Sequence, residues 1–282
     1  MLNFSGKVTD MLSSLTHSQK IVADYVIEHM DMIAFTTLDD VAMKIGVSTT
    51  TIIRFARMLG YSGYSDMQKD IQCVIMDKVS LPERLTSTKE SANLDKLLVE
   101  TMQNDITNIT ETVGSLSDET LRDVIAAIQN SRNVYVLGMR SSFALAHYTT
   151  SRLGQVRPNV RLIQSVGMIF PEEMVGSSKE DICIAFLFPR YSKTASNLIM
   201  WMKNRGVRIV LFTSPSYGSV QSFGDIILPC HVKGNAFKNS YTAPMCVINY
   251  LAATVALQDS ATAVETLQQT EEFLSKGYYL GL

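Results

Sequence analysis

The sequence predicts an all-α N-terminal domain containing a helix-turn-helix unit, followed by a C-terminal α/β domain doubly wound around a five-stranded parallel sheet. Three observations carry that prediction. Every periodic stretch up to about residue 77 has helical spacing, whereas from about 133 to 230 short β-branched runs alternate with helical ones. Between them Leu81 to Asn93 (LPERLTSTKESAN) is polar, aperiodic and holds the only proline before Pro158, which suits a linker better than a packed element. Finally, 282 residues, 46% of them apolar, are enough to bury two cores. The expected domains are 1–77 and 96–282, joined by 78–95.

In the first domain, Thr16 with Gln19 and Thr37 with Asp40 match capping boxes, so two helix starts are fixed by side chains that satisfy orphan amides. The helix Leu38 to Ile45 has apolar residues at Leu38, Val41, Ala42 and Ile45. Gly46 stops it, Val47 fills the turn and Ser48 caps the next helix. There Ile52, Phe55, Ala56 and Leu59 share one stripe, and Thr50, Arg54 and Arg57 emerge on the other side. Such a face is either solvated or a set of donors that reach phosphates and base edges in a DNA major groove. Charge is uneven here. Lys44, Arg54, Arg57 and Lys69 against Asp66 give residues 44–69 a net +3, whereas residues 1–43 carry −4.

The second domain begins with two helical segments, about Leu94 to Leu116 and Ser117 to Asn130. Five β-rich runs follow: Asn133 to Gly138, Val160 to Gln164, Asp181 to Phe188, Val207 to Thr213 and Asp225 to Cys230. Helices are expected from near Ser141 and over Ser192 to Asn204. In such a sheet, ligands sit at the carboxyl ends of the strands, here residues 138–142, 188–194 and 213–216. Pro244 to Leu257 (PMCVINYLAATVAL) is apolar around most of its circumference, so it is a helix buried on several sides, with a second subunit as the expected cover.

Composition excludes several classes. No apolar run approaches the length of a bilayer span and Met1 to Leu12 has no secretory apolar core, so a cytoplasmic location is expected. Cys73, Cys183, Cys230 and Cys246 lack zinc-ligand or disulfide spacing and are expected to be buried thiols, and no metal or cofactor is expected. Net charge −2 and a pI near 6.1 argue against indiscriminate coating of nucleic acid. A dinucleotide fingerprint is absent, since only Gly138 follows a strand as that motif requires.

The run LDDVAMKIGVSTTTIIRFARMLGYSGYSDMQKDI resembles the N-terminal helix-turn-helix of RpiR-type bacterial transcriptional regulators, including the Gly60-Tyr61-Ser62-Gly63-Tyr64 turn into the next helix. The resemblance implies a DNA-binding regulator whose groove-reading residues are Ser48, Thr49, Thr50, Thr51, Arg54 and Arg57. Lys44 and Lys69 are assigned to phosphate contacts. The implied partner is a pseudo-palindromic double-stranded operator bound by a homodimer or tetramer.

The strand and loop order of about residues 96–282 is similar to the flavodoxin-like sugar isomerase (SIS) domain of the same regulators. That family's first loop usually reads G-x-G-x-S. Here it is Gly138-Met139-Arg140-Ser141-Ser142, with arginine in place of the middle glycine. The second usually reads S-x-S-G-x-T. Here it is Leu187-Phe188-Pro189-Arg190-Tyr191-Ser192, without both serines and again with arginine for glycine. Those serines normally hold a sugar's phosphate. Two arginines on facing loops would repel unless an anion lies between them, so Gly138, Arg140, Ser141, Ser142, Arg190, Ser192, Thr194, Thr213 and Ser214 are expected to bind a small anionic effector, a sugar phosphate or a sugar acid. The alternative is that each arginine pairs with a local carboxylate such as Glu172 or Glu173. The segment Phe237-Lys238-Asn239-Ser240 is expected to close the site from a neighbouring chain. A different function remains open on this fold: a sugar phosphate isomerase, with Glu172, Glu173 and His147 as its nearby acid–base candidates.

Overall fold

The computed structural model describes residues 4–33, 36–78, 81–91, 93–163, 171–215 and 220–276. One compact unit runs to Arg84, and another takes up most of the chain from Leu85. The first is all helical: α1 Phe4–Met11, α2 His17–Glu28, α3 Met30–Ile33, α4 Leu38–Ile45, α5 Thr49–Met58 and α6 Tyr64–Lys78. Their inward residues form one core that includes Phe4, Val22, Val26, Ile33, Val41, Ile52, Phe55, Met67 and Ile71, each of whose larger side chains stabilises by ~1.5–3 kcal/mol on burial. Phe4 meets Phe55 edge to face at 6.4 Å.

Thr16 forms a full capping box with Gln19. Thr37 accepts from the Asp40 N–H, but its own hydroxyl donates to the Asp40 carboxylate at 2.6 Å, so that reciprocal contact runs between side chains. Helix α7, Leu81–Ser91, occupies the stretch expected to lack a packed element. Pro82 sits in its first turn, where a missing N–H costs nothing, and Glu83 and Lys89 complement the helix dipole. Local end signals thus suffice without an apolar period.

In the second unit, α8 Leu97–Ser115 and α9 Asp118–Asn130 precede β1 Val134–Gly138, α10 Phe143–Gly154, β2 Val160–Leu162, β3 Ile182–Phe186, α11 Lys193–Asn204, β4 Arg208–Thr213, β5 Ile226–Pro229, α12 Thr242–Gln258 and α13 Ser260–Ser275. All five strands are parallel, in the order β2-β1-β3-β4-β5. The strands are about as read from sequence, with Gln164 outside the described residues. β1 and β3 are buried throughout, as expected of strands covered on both faces. The order reverses between β1 and β3, so the loops after these two strands flank the cleft where such sheets bind ligands. Registers Gly138 with Phe186 and Phe186 with Phe212 bring the ends of β1, β3 and β4 level.

At the opposite, amino-terminal end of the strands, Asp181 just before β3 is 1% exposed and accepts from Arg132 at 2.7 Å and from the Asn133 side-chain amide at 2.8 Å. Burial alone would raise its carboxyl; hydrogen bonds from Arg132, Asn133 and the Ser178 N–H outweigh that and hold it below the ordinary aspartate value.

Helix α12 is covered largely by its own chain, packing on α8, α9, α10 and α13. Its outer side nevertheless carries Tyr250, Leu257 and Cys246, which is exposed rather than buried. Cys183 and Cys230 are buried as expected, and the Cys73 side chain lies outside the described ones. Among the described residues no helix is long and apolar enough to cross a membrane.

Candidate nucleic-acid interface and effector site

Gly46 adopts φ +76°, and both its N–H and that of Val47 return to the Ala42 carbonyl, at 2.9 and 3.0 Å. This left-handed stop turns the chain tightly from α4 into α5. Ser48 then accepts from the Thr51 N–H at 3.2 Å and its hydroxyl meets that of Thr51 at 2.9 Å. Of the expected DNA contacts, these two hydroxyls are thus already occupied in capping α5. Ile52, Phe55 and Ala56 fix the inner face of α5, while Thr50, Arg54 and Arg57 are exposed together on its outer face and Thr49 and Thr51 are half-buried. Arg57 is braced, its Nε donating to the Ser62 carbonyl at 3.4 Å. Lys44 is exposed on α4 with its ammonium 3.0 Å from the Met32 sulfur, and Lys69 is exposed on α6.

The turn after α5 is equally specific. Gly60 has φ +85°, and the Tyr61 hydroxyl donates to Asp70 at 2.5 Å. Tyr64 donates to the Thr36 carbonyl at 2.8 Å, and its burial pushes the phenol up to about 12. Gln68 donates to the Ile33 and Thr36 carbonyls at 2.9 and 2.8 Å. Together these contacts lock α6 against the entry to α4, which holds α5 in place.

In the second unit, Gly138 lets β1 run close beneath the next helix: a Cβ there would stand 2.3 Å from the Ser142 carbonyl oxygen. Arg140 and Arg190 both hold left-handed backbone, with φ of +57° and +67°. Both arginines thus hold a backbone conformation that favours glycine. Both side chains are exposed, and neither makes an ion pair among the described residues, with Glu172, Glu173 or any other carboxylate. Ser141 and Ser142 share the Tyr241 hydroxyl, at 3.0 and 3.3 Å. The Tyr241 ring packs on Phe188 at 5.4 Å, which ties the first loop, the second loop and the start of α12 into one wall.

Ser192 caps α11 by accepting from the Ala195 N–H at 3.3 Å, and Thr194 points into solvent. Thr213 and Ser214 end β4 next door, 0% and 8% exposed, and neither hydroxyl oxygen has a partner among the described residues. His147 is exposed on α10, its ring 6.4 Å from that of Phe143. Phe237 and Ser240 belong to the loop before α12, where Ser240 bonds the Val232 carbonyl; Ser216 lies outside the described residues. Tyr241 escaped the sequence reasoning. The hydroxyl run Ser240-Tyr241-Thr242 directly ahead of an apolar helix marks it as a loop residue but not as a partner of the first loop.

The helix-turn-helix domain of the rpiR family matches residues 2–74, and the SIS domain matches residues 127–254. The chain belongs to the RpiR-type transcriptional regulators. An HTH-type transcriptional regulator of Haemophilus influenzae is 22% identical over 95% of both chains. Among solved structures, the sugar isomerase domain of an RpiR transcription factor from Sphaerobacter thermophilus superposes with a TM-score of 0.60 at 22% identity, covering 63% of this chain and 99% of that one. The Vibrio vulnificus NanR protein, solved in complex with ManNAc-6P, gives a TM-score of 0.61 at 15% identity over 99% of both. In this RpiR-type chain, then, matches to a helix-turn-helix domain and to a SIS domain follow one another, and Arg140 and Arg190 with their left-handed backbone fall within the second.

Proposed function

We propose that this regulator binds a two-fold operator through α5 and that a small anion, held at the carboxyl ends of β1, β3 and β4, alters that binding without being turned over. The observation that carries the first half is the exposure of Thr50, Arg54 and Arg57 together on one face of a helix whose other face is wholly buried. Thr49 and the ends of Ser48 and Thr51 flank that face, and Lys44 and Lys69 contribute phosphate contacts. The second half is supported by two arginines that make no ion pair among the described residues and by two buried hydroxyls, Thr213 and Ser214, that have no partner there, all at the carboxyl ends of adjacent strands. NanR, a relative in fold, binds a sugar phosphate.

A homodimer is supported by the second unit's outer surface. Helix α8 turns Asn104, Asn108 and Thr112 inward, onto Lys233 and His231, and leaves Leu98, Met102, Ile106 and Val113 outward, each more than half exposed. The test is operator affinity against salt. With ~6–10 phosphate contacts, affinity falls ~10³- to 10⁵-fold between 50 and 200 mM salt. A flat salt response contradicts the DNA-reading half. An anion that leaves affinity unchanged when saturating contradicts the sensing half, since a ligand bound equally by both states shifts nothing.

A further inference from the structure

Left-handed backbone disfavours any residue with a Cβ, and glycine relieves it at once. Arginine nevertheless occupies that conformation at the head of two adjacent loops, φ +57° at Arg140 and +67° at Arg190, and among the described residues neither side chain has an ion-pair partner. Strain kept at a cleft by exposed residues that have no ion-pair partner among the described residues points to a ligand.

What they replace narrows the ligand's chemistry. A phosphate settled in a glycine loop is held by backbone N–H groups at close approach. Here Arg140 and Arg190 each set a Cβ where glycine would leave room, and Pro189 has no N–H to offer. The Ser192 hydroxyl and the Ala195 N–H already bind each other, and Ser141 and Ser142 both turn to Tyr241. The cradle for one tetrahedral dianion is thus dismantled. In its place stand two separate planar guanidinium forks, each able to pair with one carboxylate, and the buried Thr213 and Ser214 hydroxyls lie at the end of the neighbouring strand β4.

We infer that the effector of this chain is a hydroxylated dicarboxylic acid, one carboxylate on Arg140 and the other on Arg190, with its hydroxyls meeting Thr213 and Ser214. The inference rests on the sensor role proposed above and names the class of its ligand.

The full chain is titrated by calorimetry with three probes: glucarate, a dicarboxylate; gluconate, its monocarboxylate counterpart; and glucose 6-phosphate. Glucarate binds at least ~10-fold more tightly than the other two. Arg140→Gly and Arg190→Gly each weaken it by ~10- to 100-fold, the worth of one charge-assisted contact. Because glycine suits both backbones, the ligand-free thermal midpoint of each variant stays within about 3 °C of the parent, so lost binding is not lost folding. Tighter binding of glucose 6-phosphate, or glucarate binding untouched in both variants, overturns the dicarboxylate assignment while leaving a sensor in place. If none of the three binds, both the assignment and the anion-sensing role fail.

Discussion

Helix α5 and the two arginine loops both present cations to solvent, yet they do so on different foundations. Arg54 and Arg57 leave ordinary helix that is capped by Ser48, and Ile52, Phe55 and Ala56 are fully buried beneath them. Arg140 and Arg190 leave backbone at φ +57° and +67°, a conformation that costs a side-chain-bearing residue ~1–2 kcal/mol. The first region follows every local preference, so its cations are a surface written on a stable support. In the second, local preference is overruled, which is sustained only where the surrounding sheet determines the loop, as Gly138 under the Ser142 carbonyl does here.

That contrast predicts where stability and recognition separate. The largest effect is expected at the support of α5: Phe55→Ala removes a ring that is 0% exposed and packed on Phe4, and should cost ~3–5 kcal/mol in denaturant unfolding of the first unit. Asp181, at the amino-terminal end of the central strand β3 and away from the loops, gives the matching case in the second unit. Asp181→Ala leaves Arg132 and Asn133 without their acceptor and should cost ~3 kcal/mol while sparing effector binding, as calorimetry on the folded variant would read. Because the folded carboxyl is held below its ordinary value, this stabilisation is complete above the usual aspartate range. It is lost as pH falls through the depressed folded value, and the acid limb of a pH–stability curve should flatten in the variant.

Smaller effects sharpen the same division. Arg54→Ala should weaken operator binding by ~1–3 kcal/mol and leave the melting curve within ~0.5 kcal/mol of the parent, since the side chain is exposed. Ser48→Ala should cost the first unit ~1 kcal/mol through the lost cap and reduce DNA affinity only by loosening α5, with no change in base preference at any one position.

Legibility followed the same line. Helix α4 came out at its expected bounds, and α5 where its cap placed it, because Thr37, Gly46 and Ser48 are end signals with a local mechanism. The five strands were readable because buried parallel strands need unbroken β-branched and apolar runs. Helix α7 was not, since its ends are set by Pro82, Glu83 and Lys89 and no apolar stripe announces it. The Tyr241 bridge to Ser141 and Ser142 joins residues about 100 apart, and no local pattern encodes a contact of that range. The left-handed arginines lay between these cases. The resemblance implies glycine at these two positions, but only the coordinates show that Arg140 and Arg190 adopt a left-handed backbone.

The most direct test of α5 as the reading element is selection from a randomised duplex pool, run in parallel with the parent chain and a variant carrying Thr50→Ala, Arg54→Ala and Arg57→Ala. The parent should enrich an inverted repeat with half-sites about 34 Å apart or a multiple of that, and the variant, folded to the same melting point, should enrich none. Recovery of the same repeat by both proteins would contradict the assignment of DNA reading to this helix.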